Sequence, residues 1–398
     1  MLVVACPGQG SQTPGLLAPW MELPSFRDRL EWFSVVAGID LVGHGTRSDA
    51  DTIRDTAVAQ PLIVGAGLTT LLALFPHPAE GFARVGAGVG HSVGEVTAAA
   101  ATGVISAEAA MVFVRERGLA MAQAGARTAT GMSAVLGGDP RAVEAALAEH
   151  GLEVANHNGA GQIVAAGTLE QLAALSADPP AKTRVMPLPV AGAFHTHHMD
   201  PARDRLGGFA RAITRRDAHT PLVCNADGAV VSSGREVLDR LVAQVSRPVR
   251  WDLCMRTLVE LGVTGFIEMP PSGTLAGLAK RGIPGVELLA LKTPDDLDAA
   301  RRMVAEHGTA PSPPAPDPTW RLVVAPGAGT ITRSAVHPGD DIATGVVLAH
   351  VRTAAGAHDV TAAHPGRVLE WLVDDGDPVA PGQPILRLDD GTVGQAGA

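Results

Sequence analysis

The stretch "GVGHSVGEVTAAAATGVIS", residues 88–106, places a serine, Ser92, between Gly90 and Gly94. Glycine has no side chain, so backbone can pack closely around a strained turn that exposes the serine hydroxyl. Upstream, "FARVGAGVG" fits a buried strand, and downstream "EVTAAAATG" predicts an alanine-rich helix that ends at Gly103. We therefore predict a strand–turn–helix elbow with Ser92 as a nucleophile, while the 46 glycines of the chain leave a chance match open.

Composition limits the class of protein. The chain has 398 residues, 46% of them hydrophobic, which is long enough for two or three domains with buried cores. A net charge of −10 and the lack of a basic block exclude a nucleic-acid surface. We find no signal peptide and no apolar stretch of about 18 residues, so we expect no membrane span. Three separated cysteines without metal-type spacing predict reduced thiols and a cytoplasmic protein.

Residues 1–308 alternate short apolar strands with helices, which predicts an α/β fold with a parallel sheet covered by helices. The segment "AVAQPLIVGAGLTTLLALF" predicts a helix entered at Pro61. Residues 129–191 change rhythm to β-α-β-β-α-β, a ferredoxin-like order. We therefore predict a core formed by residues 1–128 and 192–308 with an inserted subdomain between them.

A second domain is predicted beyond a proline-rich segment. "GTAPSPPAPDPTW" holds five prolines, so residues 309–319 are predicted to be a semi-rigid linker. From Gly329 and from Gly366 the chain repeats itself at an offset of 37 residues, with turn glycines at matching places. This repeat predicts a small all-β flattened barrel over residues 320–390, followed by a tail at 391–398.

The barrel resembles the biotinyl and lipoyl carrier domains. Those domains present a lysine on the hairpin tip that joins their two halves. In this chain the tip falls at Ala355 or a close neighbour, and no lysine follows Lys292. We therefore expect no attachment of biotin or lipoate.

Ser92 needs a base to remove its proton. His195, in "VAGAFHTHHMD", directly follows an apolar run at the point where the inserted subdomain rejoins the core, which would place it at a cleft. His197 and His198 could in principle bind zinc, but no carboxylate or cysteine ligands accompany them. We therefore predict His195 as the base and no metal site.

Eight motifs follow one another in the order found in the malonyl-CoA:acyl-carrier-protein transacylases, which include the acyltransferase domains of polyketide synthases. Residues 1–300 are similar to that family, and the motifs are "PGQGSQTPG" at 7–15, "QPLIVGAG" at 60–67, "GHSVGE" at 90–95, "RERGLAMAQA" at 115–124, "ANHNGAGQIVAAG" at 155–167, "GAFHTHHM" at 192–199, "RPVRW" at 247–251 and "EMPPSGTLAGLAKR" at 268–281. The resemblance implies a hydrolase-like α/β core with a ferredoxin-like insertion, and a Ser-His dyad acting on malonyl-CoA.

The resemblance also assigns catalytic roles. Ser92 would attack the thioester, and His195 would act as general base and then as general acid. Backbone N–H groups of Gln9 and Val93 would hold the oxyanion. A main-chain carbonyl close to Arg250 would orient the histidine.

Substrate-binding roles follow in the same way. Arg117 matches the arginine that binds the free malonyl carboxylate, which a planar guanidinium can hold through two parallel hydrogen bonds. Phe194 matches a residue that accompanies malonyl preference and would fill the space of an α-methyl group. Gln60 and Asn158 match polar residues of the cleft, and Met132 is also assigned to substrate binding.

One motif departs from the family pattern. Where relatives read E-x-G-P-G, this chain has "EMPPSG", with Pro270 and Ser272 in place of two glycines. Proline fixes the local backbone and removes an N–H. Docking of the carrier protein or access of the acyl chain can therefore differ here.

The resulting hypothesis is a free-standing acyltransferase of polyketide or fatty-acid biosynthesis. It would load malonyl from malonyl-CoA onto Ser92 and pass it to the phosphopantetheine thiol of an acyl carrier protein, with no bound cofactor. Alternatives are a hydrolase that clears stalled carrier proteins, the transferase component of a malonate decarboxylase, and a non-enzymatic scaffold. The barrel would dock a synthase or carboxylase partner or mediate oligomerisation.

Overall fold

The computed structural model describes residues 1–77, 81–190, 192–309, 320–353 and 356–389. The chain forms two compact units, residues 1–311 and 312–398. The predicted linker beyond Thr309, the tail at 391–398 and the predicted hairpin tip at Ala355 lie outside the described residues.

A six-stranded sheet forms the centre of the first unit. Its strand order is β10-β9-β1-β2-β7-β8, and every neighbouring pair is parallel except β7 with β8. The strands are β1 (Leu2–Cys6), β2 (Ala87–Gly90), β7 (Leu222–Val223), β8 (Val230–Val231), β9 (Gly265–Glu268) and β10 (Glu287–Ala290).

Helices cover both faces of this sheet. In β1, Val4 and Cys6 belong to one hydrophobic cluster, while Val3 and Ala5 belong to another. A strand buried on both faces is typical of a parallel sheet in an α/β protein, so the predicted fold class is confirmed. The α-helices whose bounds fall within the described residues are α1 (Pro24–Ala37), α2 (Leu41–Thr46), α3 (Thr56–Leu74), α4 (Gly94–Ala101), α5 (Ala107–Gly125), α6 (Pro140–Glu149), α7 (Leu169–Ala177), α8 (Asp200–Ala210), α9 (Gly234–Gln244), α10 (Trp251–Glu260), α11 (Thr274–Gly282) and α12 (Leu297–His307).

The inserted segment forms its own antiparallel sheet. Its strands alternate with α6 and α7 in the predicted β-α-β-β-α-β order and pair in the spatial order β4-β5-β3-β6. This is the arrangement of a ferredoxin-like fold. The strands are β3 (Thr130–Gly137), β4 (Glu153–Gly159), β5 (Gln162–Thr168) and β6 (Thr183–Pro187).

The helix predicted to be entered at Pro61 begins five residues earlier, so that prediction was wrong. Asp55 caps α3 by accepting from the N–H of Ala57, and Pro61 lies inside the helix. Proline lacks the N–H that would bond the carbonyl four residues before it. That carbonyl, on Ala57, accepts a hydrogen bond from the Arg115 guanidinium at 3.3 Å instead.

The expectation that the chain has no apolar stretch of about 18 residues was wrong, because α3 is such a stretch. It is 19 residues long and apolar enough to cross a membrane by length and composition alone. However, 78% of its most apolar window is buried inside the protein, and its residues Leu62, Ile63 and Val64 belong to the main hydrophobic cluster. Such burial is typical of a core helix.

The second unit is an all-β barrel of two four-stranded sheets, ordered β11-β18-β16-β13 and β15-β14-β12-β17. The repeat seen in the sequence relates one sheet to the other, and the matched turn glycines Gly339 and Gly376 both have positive φ, 98° and 89°. Ile331 and its counterpart Val368 are both buried. The strands are β11 (Trp320–Val324), β12 (Gly329–Arg333), β13 (Asp341–Ile342), β14 (Val347–Thr353), β15 (Gly356–Thr361), β16 (Gly366–Trp371), β17 (Pro378–Val379) and β18 (Pro384–Asp389).

Candidate active site

Ser92 lies on a tight turn between β2 and α4, and it is one of the few non-glycine residues with positive φ, 52°. The flanking glycines are needed for packing. A Cβ on Gly90 would collide with the backbone of Gly94, and one on Gly94 would collide with the carbonyl of Cys6. The two glycines therefore let neighbouring backbone segments close around the turn that presents Ser92.

His195 lies beside this serine. Its Nε2 is 2.7 Å from Ser92 Oγ, and its Nδ1 is 2.7 Å from the main-chain oxygen of Gln244. A carbonyl can only accept, so Nδ1 carries the proton and Nε2 is left with a lone pair toward the serine. The backbone N–H of His195 is held by the carbonyl of Val245 at 3.0 Å. The two side chains form a Ser-His dyad.

The charge state of His195 suits it to accept a proton. Burial, reinforced by the positive charge of Arg117, lowers the pKa of His195 to about 3. The imidazole is therefore neutral near pH 7, with Nε2 free to take the serine proton.

The residue that orients His195 is Gln244, so the prediction of a main-chain carbonyl at Arg250 was wrong. Arg250 donates its own N–H to Asn225 and binds Asp252 through its side chain at 2.9 and 2.7 Å. Gln244 ends α9, and the last carbonyls of a helix have no partner within it. The Gln244 carbonyl accepts from His195 Nδ1 and from the N–H of Arg247 at 3.2 Å.

Arg117 is a fully buried cation next to the dyad. It lies on α5 with 0% of its surface exposed, and its guanidinium donates to Gln60 Oε1 at 2.7 Å, Gln244 Oε1 at 2.9 Å and Ser92 Oγ at 3.3 Å. Burial lowers its pKa to about 10, so it remains charged at pH 7. Its Nε has no hydrogen-bond partner, and within the described ranges no carboxylate lies at ion-pair distance from it.

The other predicted substrate residues lie at different places around the dyad. Gln60 on α3 contacts Arg117 directly. Asn158 on β4 bonds His91 Nε2 through its Oδ1 at 2.9 Å, so it reaches the elbow through the residue before Ser92. Phe194 is buried next to His195, with its ring against Gly192. Met132 is buried on β3.

The predicted oxyanion donors lie in two adjoining segments. The segment containing Gln9 runs against the elbow, since a Cβ on Gly8 would lie 2.8 Å from the carbonyl of His91. The N–H groups of Gly94 and Glu95 donate to backbone carbonyls within the turn. In the described part of the chain, the N–H groups of Gln9 and Val93 donate to no acceptor. Two free N–H groups are what an oxyanion hole requires. Their role stays a prediction.

Two residues that the sequence did not predict, Asn225 and Glu95, hold the elbow in place. Asn225 accepts from the Ser92 N–H at 2.8 Å and donates to the carbonyl of Gly90 at 2.6 Å. Glu95 accepts from the Asn225 N–H at 3.1 Å and from the Gln244 side-chain amide. Burial raises the pKa of Glu95 to about 7. A lone acidic residue in the alanine-rich "GEVTAAAA" was a usable signal, whereas nothing in the pattern around Asn225 distinguished it.

Potential metal ligands lie elsewhere. His197 Nδ1 contacts Glu153, so one member of the histidine pair already has a carboxylate partner. Glu287, Glu306 and His307 converge closely enough to surround an ion. Arg302 bonds both of these glutamates at 3.2 Å and so already neutralises part of their charge.

Comparison with known proteins places this geometry in a family context. Residues 3–293 match the family described as acyl transferase domain, and residues 321–388 match the family described as biotin-requiring enzyme. The first match covers most of the chain.

Individual relatives agree with the family match. The chain is 49% identical over 303 residues to the malonyl CoA-acyl carrier protein transacylase of Mycobacterium bovis, covering 75% of this chain and 98% of the relative. It is 31% identical to the transacylase of the same name from Bacillus subtilis, covering 76% and 96%.

Solved structures give the same result. The crystal structure of MCAT from Mycobacterium tuberculosis superposes with a TM-score of 0.73 at 48% identity, covering 76% of this chain and 99% of that one. A malonyl-transacylase in complex with a type II PKS acyl-carrier protein superposes with a TM-score of 0.69 at 27% identity, covering 76% and 99%.

Proposed function

The chain belongs to the acyl transferase domain family, and we propose that it moves a malonyl group from malonyl-CoA to the phosphopantetheine thiol of an acyl carrier protein. The transfer runs by a ping-pong mechanism through a malonyl ester of Ser92. The observation that carries this proposal is the buried Arg117 guanidinium, 3.3 Å from Ser92 Oγ.

In the first half-reaction, Ser92 Oγ attacks the thioester carbonyl while His195 Nε2 takes the hydroxyl proton. The carbonyl oxygen becomes an oxyanion, held by the N–H groups of Gln9 and Val93. When the tetrahedral intermediate collapses, the C–S bond breaks and His195 returns the proton to the departing CoA thiolate. The product is malonyl-Ser92 and free CoA.

In the second half-reaction, the phosphopantetheine thiol of the carrier protein takes the place of CoA. His195 removes the thiol proton, the thiolate attacks the malonyl ester, and the proton passes to Ser92 Oγ as the ester bond breaks. Because Gln244 holds Nδ1 in place, the same ring nitrogen acts in both halves.

Selection of malonyl follows from the charge of Arg117. An ionised malonyl carboxylate can form charge-assisted hydrogen bonds with the guanidinium, whereas an acetyl group has no carboxylate to bond it. Phe194, packed beside His195, fills space that an α-methyl group would need. A hydrolase that clears acyl groups from carrier proteins has no use for a carboxylate-binding arginine, so Arg117 favours the transferase over that alternative.

For the second unit we propose a docking or oligomerisation role without biotin or lipoate, because no lysine follows Lys292 to carry either group. The partner would be a synthase or carboxylase. Deletion of the unit should then lower affinity for the carrier protein or change the assembly state, and an unchanged rate, affinity and assembly state would refute the role.

Intact mass spectrometry tests the proposed reaction. Wild-type protein incubated with malonyl-CoA should gain one malonyl group, Ser92→Ala should gain none, and Arg117→Ala should gain much less. Acetyl-CoA and methylmalonyl-CoA should load poorly. Release of free acid without a stable adduct, or a preference for uncharged acyl groups, would favour the hydrolase.

A further inference from the structure

A buried carboxylate, Glu95, lies one amide group away from the buried cation of the site. The side chain of Gln244 connects the two groups. Its Oε1 accepts from Arg117 at 2.9 Å, and its Nε2 donates to Glu95. Glu95 is 2% exposed and lies in the first turn of α4, the helix that begins directly after the Ser92 turn. The proposed mechanism does not use it.

The groups around Glu95 come from several elements. Asn225 donates its N–H at 3.1 Å, and the Cys224 thiol lies close to the carboxylate. Cys254 on α10 lies close by. Burial raises the pKa of both thiols, so neither carries charge near neutral pH.

Two positive charges act on Glu95, those of Arg240 and Arg117. Arg240 already bonds Asp227 and Glu236, at 2.6 and 2.9 Å. Arg117 bonds only neutral oxygens. In its ionised form, Glu95 is therefore a nearby anion that balances Arg117 before substrate binds.

The malonyl carboxylate changes this balance. When it binds Arg117, two carboxylates share one guanidinium in a buried region, and like charges in such a setting favour the protonated form of one of them. The malonyl carboxylate keeps its charge because it bonds the guanidinium directly. Glu95, separated by the Gln244 amide, is the group that can be neutralised more readily.

We propose that Glu95 takes up a proton from solvent when Arg117 binds the malonyl carboxylate, so that acylation by malonyl is coupled to proton uptake and acylation by acetyl is not. The inference rests on the proposed malonyl transfer. The nearby Cys224 sulfur offers the new O–H a weak acceptor. Glu95 thereby acts as a positioning residue that tunes selectivity through Arg117.

The coupling belongs to the neutral pH range, because burial raises the pKa of Glu95 to about 7. At pH 7 the free enzyme holds this carboxyl about half protonated, so binding adds up to about half a proton. The serine proton leaves with CoA in every acylation and contributes the same count for malonyl and acetyl.

The test counts protons per acyl group. Wild-type protein in weakly buffered solution at about pH 7, with a pH indicator, is loaded with malonyl-CoA or with acetyl-CoA, and intact mass gives the number of acyl groups. We expect malonyl loading to consume up to about half a proton more per acyl group than acetyl loading.

Glu95→Gln, which imitates the protonated carboxyl, should load malonyl without the extra uptake. The matched control Glu149→Gln, on the exposed face of α6, should retain it. Equal proton counts for both donors in the wild type, or extra uptake that persists in Glu95→Gln, would overturn the inference. The wild-type comparison decides even where Glu95→Gln fails to fold. Absence of any acyl adduct would refute the proposed transferase itself and the coupling with it.

Discussion

Gln244 contributes two separate groups to the site. Its main-chain carbonyl orients His195, and its side-chain amide joins Arg117 to Glu95. A substitution can remove the second contribution without the first, because every amino acid supplies the main-chain carbonyl. The two roles can therefore be separated experimentally.

Gln244→Ala should keep the dyad and impair malonyl binding. The His195 Nδ1 bond survives, while Arg117 loses one acceptor of its charged guanidinium, and such a bond contributes about 1.5–3 kcal/mol. We expect malonyl kcat/KM to fall by roughly 10- to 100-fold, with acetyl transfer changed less. Arg250→Ala is the control. It should leave kinetics near wild type, because its side chain bonds Asp252 and not the dyad, and an equal loss in both variants would show that the effect is not specific to Gln244.

Two buried groups, Glu95 and His195, should make the free energy of unfolding of the first unit depend on pH in opposite directions. The pKa of Glu95 is raised to about 7 in the folded state, so its contribution is present at low pH and is lost as pH rises through about 7. The pKa of His195 is lowered to about 3, so its contribution is lost as pH falls below about 6.5.

Glu95→Gln isolates the first effect. Relative to this variant, the wild type should lose about 3 kcal/mol of unfolding free energy between about pH 4.5 and pH 8. Over this range the unfolded chain releases the Glu95 proton near its ordinary pKa, whereas the folded protein keeps it until about pH 7. Denaturant titrations at both pH values measure the difference. A difference between wild type and variant that does not change with pH would show that Glu95 titrates normally.

At the scale of elements, local patterns predicted what local physics determines. The elbow followed from Gly90 and Gly94, which leave room for neighbouring backbone, and the insertion followed from its own alternation of strands and helices. The helix around Pro61 was predicted to begin too late, because the compensating donor, Arg115, lies on another helix, 58 residues after the Ala57 carbonyl that it bonds. The orienting carbonyl of Gln244 depended in the same way on where α9 ends.

The contact between α3 and α5 should be sensitive to one glycine. A Cβ on Gly118 would lie 2.9 Å from the carbonyl oxygen of Thr56, which is backbone and cannot rotate away. Gly118→Ala should therefore push α5 outward, displace the adjacent Arg117, and reduce both stability and malonyl loading.

Gly277→Ala is the matched control, because this helical glycine on α11 has open space where its Cβ would be. Alanine there should raise stability by about 0.5–1 kcal/mol through its better helix propensity. Thermal unfolding compares the two variants, and a stable, fully active Gly118→Ala would contradict the packing account.

At the scale of the whole molecule, the sequence predicted the barrel from its repeat. Matched glycines take matched positive φ values, since both halves need the same turns. The repeat predicts shape but carries no chemistry once the attachment lysine is missing. For that reason its partner remains a proposal, whereas Ser92, His195 and Arg117 could be predicted individually and lie together in the structure.

Removal of the second unit should separate chemistry from docking. Every residue of the proposed site lies within residues 1–311. A chain ending after Thr309 should therefore load malonyl onto Ser92 at the wild-type rate, and any loss should appear in carrier affinity or assembly. Intact mass and sedimentation measure the two. Loss of loading in a folded truncated chain would mean that the barrel takes part in the chemistry.

The most direct test of the account is a competition for the carrier thiol. Equal malonyl-CoA and acetyl-CoA are mixed with the enzyme and a phosphopantetheinylated acyl carrier protein, and the acyl group on the carrier is identified by mass. The account predicts almost exclusively malonyl-carrier with wild type, none with Ser92→Ala, and loss of the malonyl preference with Arg117→Ala. Free malonate without acyl-carrier, or an unchanged preference in Arg117→Ala, would contradict it.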